Sequence, residues 1–359
     1  MSQKLQIVLK TTLTLIEQFQ STLSTTQTNS TPAASEKDKD LDPLPLLSTS
    51  STALKSHVTK LSLLAINSPF TPSAVATTLS TLNESVLPSL VTAALLITPE
   101  SHTRTFQTEI RVLTGTALKE LSLLIKEVQI IAEEKAEKKS LDQAEKNAVT
   151  AVAGRVWDAC DVLVDIAAKG VVGLLVKRAE QYRDLVRDAV EEIEEWDPDE
   201  EGDEFFDDLL DGDRNGFTAD GEDDADEDED DEGSVALHAR KKDALRILKP
   251  VAQIYPAIIA NRLRKAPVPL APGDVGTLEE VMRNLQRIPD HIDEVAGALY
   301  EDDPGKFTRQ LRKTKERAFK AIELVVLPWG LKQENAGDKF TTWSHTWTKV
   351  VEEVIKTIV

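Results

Sequence analysis

The single cysteine of this chain is its first candidate for reaction chemistry, and it lies in the stretch GRVWDACDVL at 154–163. On a helix, Cys160 shares one face with the apolar residues Val156, Trp157 and Leu163. A buried thiol without a cationic neighbour has a raised pKa and is unreactive. We therefore predict that Cys160 and Trp157 belong to a hydrophobic core and that the thiol has no redox or nucleophilic role.

Three acidic residues lie beside this core face. Asp158, Asp161 and Asp165 follow one another at helical spacing and form one acidic ridge. Such a ridge is either a solvated helix face or a docking strip for a basic helix, including basic segments of this chain. We take the three aspartates as candidate partner-binding residues.

The sequence does not contain the motifs that catalysis or metal binding requires. We find no GxSxG, no glycine-rich phosphate loop, no dinucleotide fingerprint and no HExxH. One cysteine cannot form a thiolate cage, and the five histidines are scattered. The PGDVGT stretch at 272–277 could bind an anion through free backbone N–H groups, but an ordinary capped loop explains it better. We expect no enzyme activity, no cofactor, no metal and no small-molecule substrate.

The formal net charge of −20 is concentrated in one segment. Between Glu191 and Glu232 there are 25 acidic residues and one basic residue, Arg214. A segment so charged repels itself and cannot fold alone. It suits a solubilising spacer, a docking site for basic proteins, or an autoinhibitory element. The apolar residues within it are candidate partner-binding residues, namely Phe205, Phe206, Leu209 and Leu210.

Helical periodicity is widespread and strand signals are sparse, so the sequence predicts an all-α fold. We expect two antiparallel helical bundles joined by a disordered acidic linker. The expected domains are 1–198, with a Ser/Thr-rich loop at about 27–47, the linker 199–234, and 235–359. The last helix carries Trp343 and Trp347 on its apolar stripe, and we assign both to the core.

Partners other than proteins are not expected. Basic residues gather in ARKKDALRILK at 239–249, in NRLRK at 261–265 and in TRQLRKTKERAFK at 308–320. The acidic segment competes with phosphates for these cations, so we do not expect direct nucleic-acid binding. No apolar run approaches the length of about 20 residues that a membrane-spanning helix needs, so no membrane role is expected.

Two motifs resemble a known family. They are NAVTAVAGRVWDACD at 147–161 and YRDLVRDAVEEIEEWDP at 182–198, which are followed by an acidic insertion and a second helical half. The pattern resembles the Grap2- and cyclin-D-interacting family, also described as cyclin-D-binding, Id-like helix-loop-helix proteins. The residues that carry the likeness are Val156, Trp157, Ala159, Cys160, Asp188, Ala189, Glu191, Glu192, Asp197 and Pro198.

The resemblance implies a non-enzymatic helical protein with bundles akin to those of talin and vinculin. It implies binding to cyclin or helix-loop-helix partners, control of the cell cycle and transcription, and a location in nucleus and cytoplasm. No site residue is carried over, because the matching positions are expected to lie in the core. Two alternatives stay open: a cytoskeletal adaptor of the talin or vinculin kind, and a histone-chaperone-like binder of basic proteins through the acidic segment.

Overall fold

A computed structural model describes residues 2–25, 42–134, 142–199, 227–330 and 337–357. These residues form helices and their connections and contain no strand, which confirms the predicted all-α class. The helices are α1 (Gln3–Thr25), α2 (Pro43–Ile66), α3 (Pro72–Thr81), α4 (Leu87–Leu96), α5 (Pro99–His102), α6 (Arg104–Glu134), α7 (Gln143–Glu195), α8 (Glu227–Ala252), α9 (Ile254–Asn261), α10 (Pro272–Tyr300), α11 (Pro304–Leu324) and α12 (Lys339–Lys356).

The chain divides into two compact units. Unit 1 comprises Met1–Leu174 and Pro269–Gly276, and unit 2 comprises Leu175–Val268 and Thr277–Val359. The division therefore falls within α7, whereas the predicted domains meet in the acidic segment. The end of α7 belongs to unit 2 because it forms ion pairs there, between Glu180 and Arg264 and between Glu194 and Lys249. Most of the predicted linker lies outside the described residues.

Unit 1 is held together by apolar helix faces. In α1, the buried positions Leu5, Leu9 and Ile16 recur at helical spacing, and α1 packs against α6 and α3. The helix α2 packs against α4, α3 and α6. Polar contacts add to this packing; for example, the Asn83 amide donates to the Thr12 hydroxyl at 2.9 Å.

A π-helical segment, Leu82–Val86, joins α3 to α4. The sequence predicts a kink at Pro88, and the irregularity lies just before it. Proline has no N–H for the carbonyl four residues earlier, so the preceding turn widens. By length and hydropathy alone Pro72–Leu96 could cross a membrane, although 44% of its most apolar window is buried inside the protein.

The long helix α7 is two helices that meet at Gly170. Its start is capped by Asp142, whose carboxylate accepts from the Glu145 N–H at 2.8 Å, while Glu145 accepts from the Asp142 N–H at 2.7 Å. In the sequence, Ser140 with Gln143 fits a capping box, but Ser140 lies outside the described residues. Gly170 has φ 63° and ψ −166°, so the helical path is broken where the sequence predicts a break, between 169 and 171.

In unit 2, α12 packs on α8, and α11 packs on α8 and α9.

The helix α10 begins at Pro272, and the 272–277 stretch is therefore helical. The interpretation of PGDVGT as a capped loop is therefore wrong. Proline suits the first turn of a helix, so the helix starts there.

Candidate interaction surfaces

Cys160 lies in the core of unit 1, as predicted. Its side chain is fully buried. Burial, followed by the nearby charge of Asp161, raises the pKa of the Cys160 thiol to about 12. Trp157, which the sequence assigns to the core, is only half-buried and lies at the core's edge, and its indole N–H is shielded from solvent without a hydrogen-bond partner among the described residues. The thiol is thus a packing group in this fold.

The acidic ridge is exposed on the first half of α7. Asp161 forms an ion pair with Lys55 of α2 at 2.6 Å, and Asp165 pairs with Lys169 at 2.7 Å. The Asp158 carboxylate forms no ion pair or hydrogen bond with the part of the chain that the structure describes. Lysines of the same unit therefore neutralise the charges of two of the three aspartates, and Asp158 has no such partner among the described residues.

The two tryptophans of α12 differ in burial. Trp347 is 6% exposed, and its Nε1 donates to the Pro250 carbonyl at 2.9 Å. Its ring packs edge-on against Phe319 at 5.3 Å between centroids. Trp343 is only half-buried and lies 5.5 Å from the Phe340 ring. Trp347 is thus a core residue as predicted, whereas Trp343 lies at the edge of the core.

The apolar residues of the acidic segment lie outside the described residues. Their role as partner-binding residues stays a prediction, and the residues are Phe205, Phe206, Leu209 and Leu210.

The basic segments are partly engaged within unit 2. Lys249 pairs with Glu194 at 2.6 Å, and Arg264 pairs with Glu180 at 2.8 Å. Arg240 pairs with Asp302, and Lys241 donates to the Trp196 carbonyl. The chain's own oxygens therefore hold several of the cations that the sequence analysis considered for phosphate.

Arg262 is the largest departure from the sequence analysis, which placed it in a surface basic cluster. Its side chain is 1% exposed and donates to both carboxylate oxygens of Asp338, at 2.9 and 3.0 Å. The same guanidinium donates to the carbonyls of Val325 and Val326 at 2.6 and 2.8 Å. No pattern in the sequence links these positions, and only the helix-capping Asp338 offered a local signal.

Asp197, Asp199 and His238 are close enough together to hold a metal ion, although the sequence predicts none. All three are exposed, and Asp199 already accepts hydrogen bonds from Ser234 and His238. These contacts lower the pKa of the Asp199 carboxyl, chiefly through the Ser234 hydroxyl. The cluster is explained by this hydrogen bonding.

An open pocket of about 430 Å³ lies at the end of α7 and is lined by Glu192, Glu195, Trp196 and Tyr300. The Trp196 and Tyr300 rings meet edge to face, with centroids 5.0 Å apart and planes at 66°. The Tyr300 hydroxyl donates to Glu192 at 3.2 Å. Burial and the Glu192 charge raise the pKa of Tyr300 to about 12, so the phenol stays protonated. No motif in the sequence indicates this pocket, because its residues come from distant parts of the chain.

The described residues thus define an all-α protein whose candidate sites are exposed helix faces and an open aromatic pocket. Residues 46–199 match the family model described as Grap2 and cyclin-D-interacting, N-terminal. The match confirms, over that segment, the family resemblance inferred from the sequence motifs. It covers the acidic ridge, Cys160 and the end of α7. A comparison with curated protein sequences returned no match.

Proposed function

We propose that this protein is a non-enzymatic regulator that binds cyclin or helix-loop-helix-type proteins. Through such partners it modulates the cell cycle or transcription, in the nucleus and the cytoplasm. The observation that carries the proposal is the family match over residues 46–199, whose description names cyclin D as an interaction partner. Protein binding through helices needs no cofactor or substrate pocket.

The acidic ridge is the surface of unit 1 that we assign to this binding. It lies within the matched segment, its carboxylates are exposed, and Asp158 has no partner among the described residues. A row of carboxylates along one helix face complements a basic partner helix and steers its approach. The side chains on this ridge can change charge without disturbing the core beneath, because Cys160 and Leu163 face inward.

Capture of purified partners tests the proposal. The full chain is immobilised and offered a D-type cyclin and, separately, a helix-loop-helix factor. We expect capture of at least one of them, and its loss when Asp158, Asp161 and Asp165 are all changed to lysine. A matched control changes Glu17, Glu84 and Glu133 to lysine, since these acids are exposed in the same unit but off the ridge.

Failure of the unmodified chain to capture either partner class contradicts the proposed function. Equal capture by the ridge variant and the control keeps the function but excludes the ridge as its surface. Circular dichroism on both variants checks that the fold persists, since exposed ion pairs contribute only about 0 to 1 kcal/mol each.

A second function is favoured by composition: capture of basic proteins by the acidic segment, with its 25 acidic residues between Glu191 and Glu232. Deletion of 199–233 should then abolish binding of a histone while leaving cyclin capture intact. Binding of the histone by the deleted chain contradicts this second function.

A further inference from the structure

We infer that the pocket formed by Trp196, Tyr300, Glu192 and Glu195 binds the side-chain ammonium of a lysine presented by a partner protein. Three features of the pocket carry this inference: its two aromatic rings, its two carboxylates, and the charge around it. All four residues lie in unit 2.

The rings provide the first feature. An organic cation is attracted to the face of a tryptophan or tyrosine ring within about 6 Å of the centroid. Trp196 and Tyr300 meet at 66°, so they present two differently oriented surfaces to the pocket. Tyr300 is 43% exposed and Trp196 is half-buried, so their free surfaces are open to a ligand.

The carboxylates provide the second feature. Glu192 accepts a hydrogen bond from Tyr300 and has no cationic partner among the described residues. Glu195 is exposed and likewise has none in that part of the chain. Two glutamates beside two aromatic rings make a pocket that prefers a cation over a neutral apolar group.

The surrounding charge provides the third feature. The nearby cations are already engaged, because Lys249 pairs with Glu194 and Lys306 lies 3.1 Å from Glu301 and 3.5 Å from Glu294. Lys241 donates to the Trp196 carbonyl, so its charge offsets part of the negative charge here, but it forms no ion pair with Glu192 or Glu195. The pKa of the Asp293 carboxyl is raised, first by burial and then by surrounding carboxylates that include Glu192. The pocket therefore has an excess of negative charge, which a ligand cation can neutralise.

A titration followed by nuclear magnetic resonance tests this site in the full chain. The five tryptophans are labelled with ¹⁵N, and the Trp196 indole signal is assigned by its loss in Trp196→Phe. The probe is N-acetyl-lysine methylamide, and the neutral control is the norleucine analogue. We expect lysine to shift the Trp196 signal with a millimolar Kd, while norleucine leaves it in place.

Three variants separate the contributions. Tyr300→Leu should raise Kd about two- to fivefold through loss of one ring face, whereas Tyr300→Phe should bind as before. Changing Glu192 and Glu195 to glutamine should weaken binding. The matched control changes Asp188 to asparagine and Glu191 to glutamine. These substitutions remove the same charge from the same helix, but the two residues do not line the pocket. The control should leave Kd unchanged.

Any of three results would overturn the site. The first is an equal shift with lysine and norleucine, and the second is no Trp196 shift with lysine. The third is equal weakening of binding by the two charge-removal variants. The site deepens the proposed function, and its biological role rests on that function. The two tests are independent, because the titration uses no cyclin. Absence of lysine binding leaves the capture result standing, and failed capture leaves the pocket standing.

Discussion

The guanidinium of Arg262 donates to both carboxylate oxygens of Asp338 from inside the core of unit 2. Arg262 is 1% exposed and lies 4.3 Å above the Phe340 ring. Asp338 also caps α12 by accepting from the Thr341 N–H at 3.0 Å. One carboxylate therefore neutralises a buried cation and starts a helix, so it links the end of α9 to α12.

Asp338→Ala should destabilise unit 2 far more than the loss of an ordinary helix cap. It leaves a buried arginine charge unpaired, which costs about 3 to 5 kcal/mol. Asp303→Ala is the matched control, because Asp303 caps α11 and accepts from the Lys306 N–H at 2.8 Å but binds no buried arginine. Its removal should cost about 1 kcal/mol. Urea unfolding followed by circular dichroism measures both, and equal losses would show that Asp338 acts only as a cap.

The same pair makes stability depend on pH. The Arg262 guanidinium holds the pKa of the Asp338 carboxyl well below its ordinary value of 3.8. A lowered pKa contributes stability that is fully present above the ordinary value and is lost as pH falls through the folded value. The stability difference between the wild type and Asp338→Asn should thus stay constant from neutral pH to about pH 5 and shrink below about pH 4. A difference that stays constant down to pH 3 would contradict this coupling.

Sequence reasoning worked where one short pattern determines a local structure. The helical spacing of Leu5, Leu9 and Ile16 predicts α1, and a single glycine at 170 predicts the break in α7. Cys160 is buried because its apolar neighbours recur on its own face of the helix. In each case the residues that fix the structure lie within a few turns of one another.

Prediction from sequence failed where the structure depends on contacts between residues that are distant in the chain. Arg262 resembles its basic neighbours, and only packing shows that it is buried against Asp338. The pocket joins Trp196 to Tyr300, which belong to different helical segments and share no sequence pattern. The helical spacing predicts the acidic ridge as a row of aspartates. It does not predict the ion pair between Asp161 and Lys55, because Lys55 lies on a different helix.

Gly170→Ala should destabilise the break within α7. The φ of 63° with ψ −166° lies in a region that is essentially restricted to glycine, so a side chain there costs about 1 to 3 kcal/mol. The effect comes from the backbone, because the nearest atom to an added Cβ is Leu44 Cδ1 at 3.8 Å. The matched control is Gly154→Ala in the same helix, where nothing lies within 4 Å of the new Cβ.

The control should stabilise the protein by about 0.5 to 1 kcal/mol, because alanine is favoured over glycine inside a helix. Opposite signs for the two substitutions are therefore expected in thermal or urea unfolding. Stabilisation by Gly170→Ala would show that the positive φ is not required at this position.

The Cys160 thiol should resist alkylation in the folded protein. With a pKa of about 12 its thiolate fraction is very small at pH 8, and the side chain is fully buried, so iodoacetamide reaches it only when the helices open. We expect labelling of the native protein to be far slower than labelling in denaturant, because it requires transient opening of the helices. In denaturant we expect rapid labelling of one thiol per chain, as measured by mass spectrometry.

A cysteine on the outer face of the same helix provides the comparison. Val162 is 46% exposed, so Val162→Cys in a Cys160→Ala background should be labelled rapidly without denaturant. Equally fast labelling of the native Cys160 would place an accessible thiol beside Asp161 and reopen the possibility of an enzyme. Slow labelling of Cys160 with fast labelling of the cysteine at position 162 supports a thiol that packs in the core. The two cysteines lie on the same helix and differ in burial.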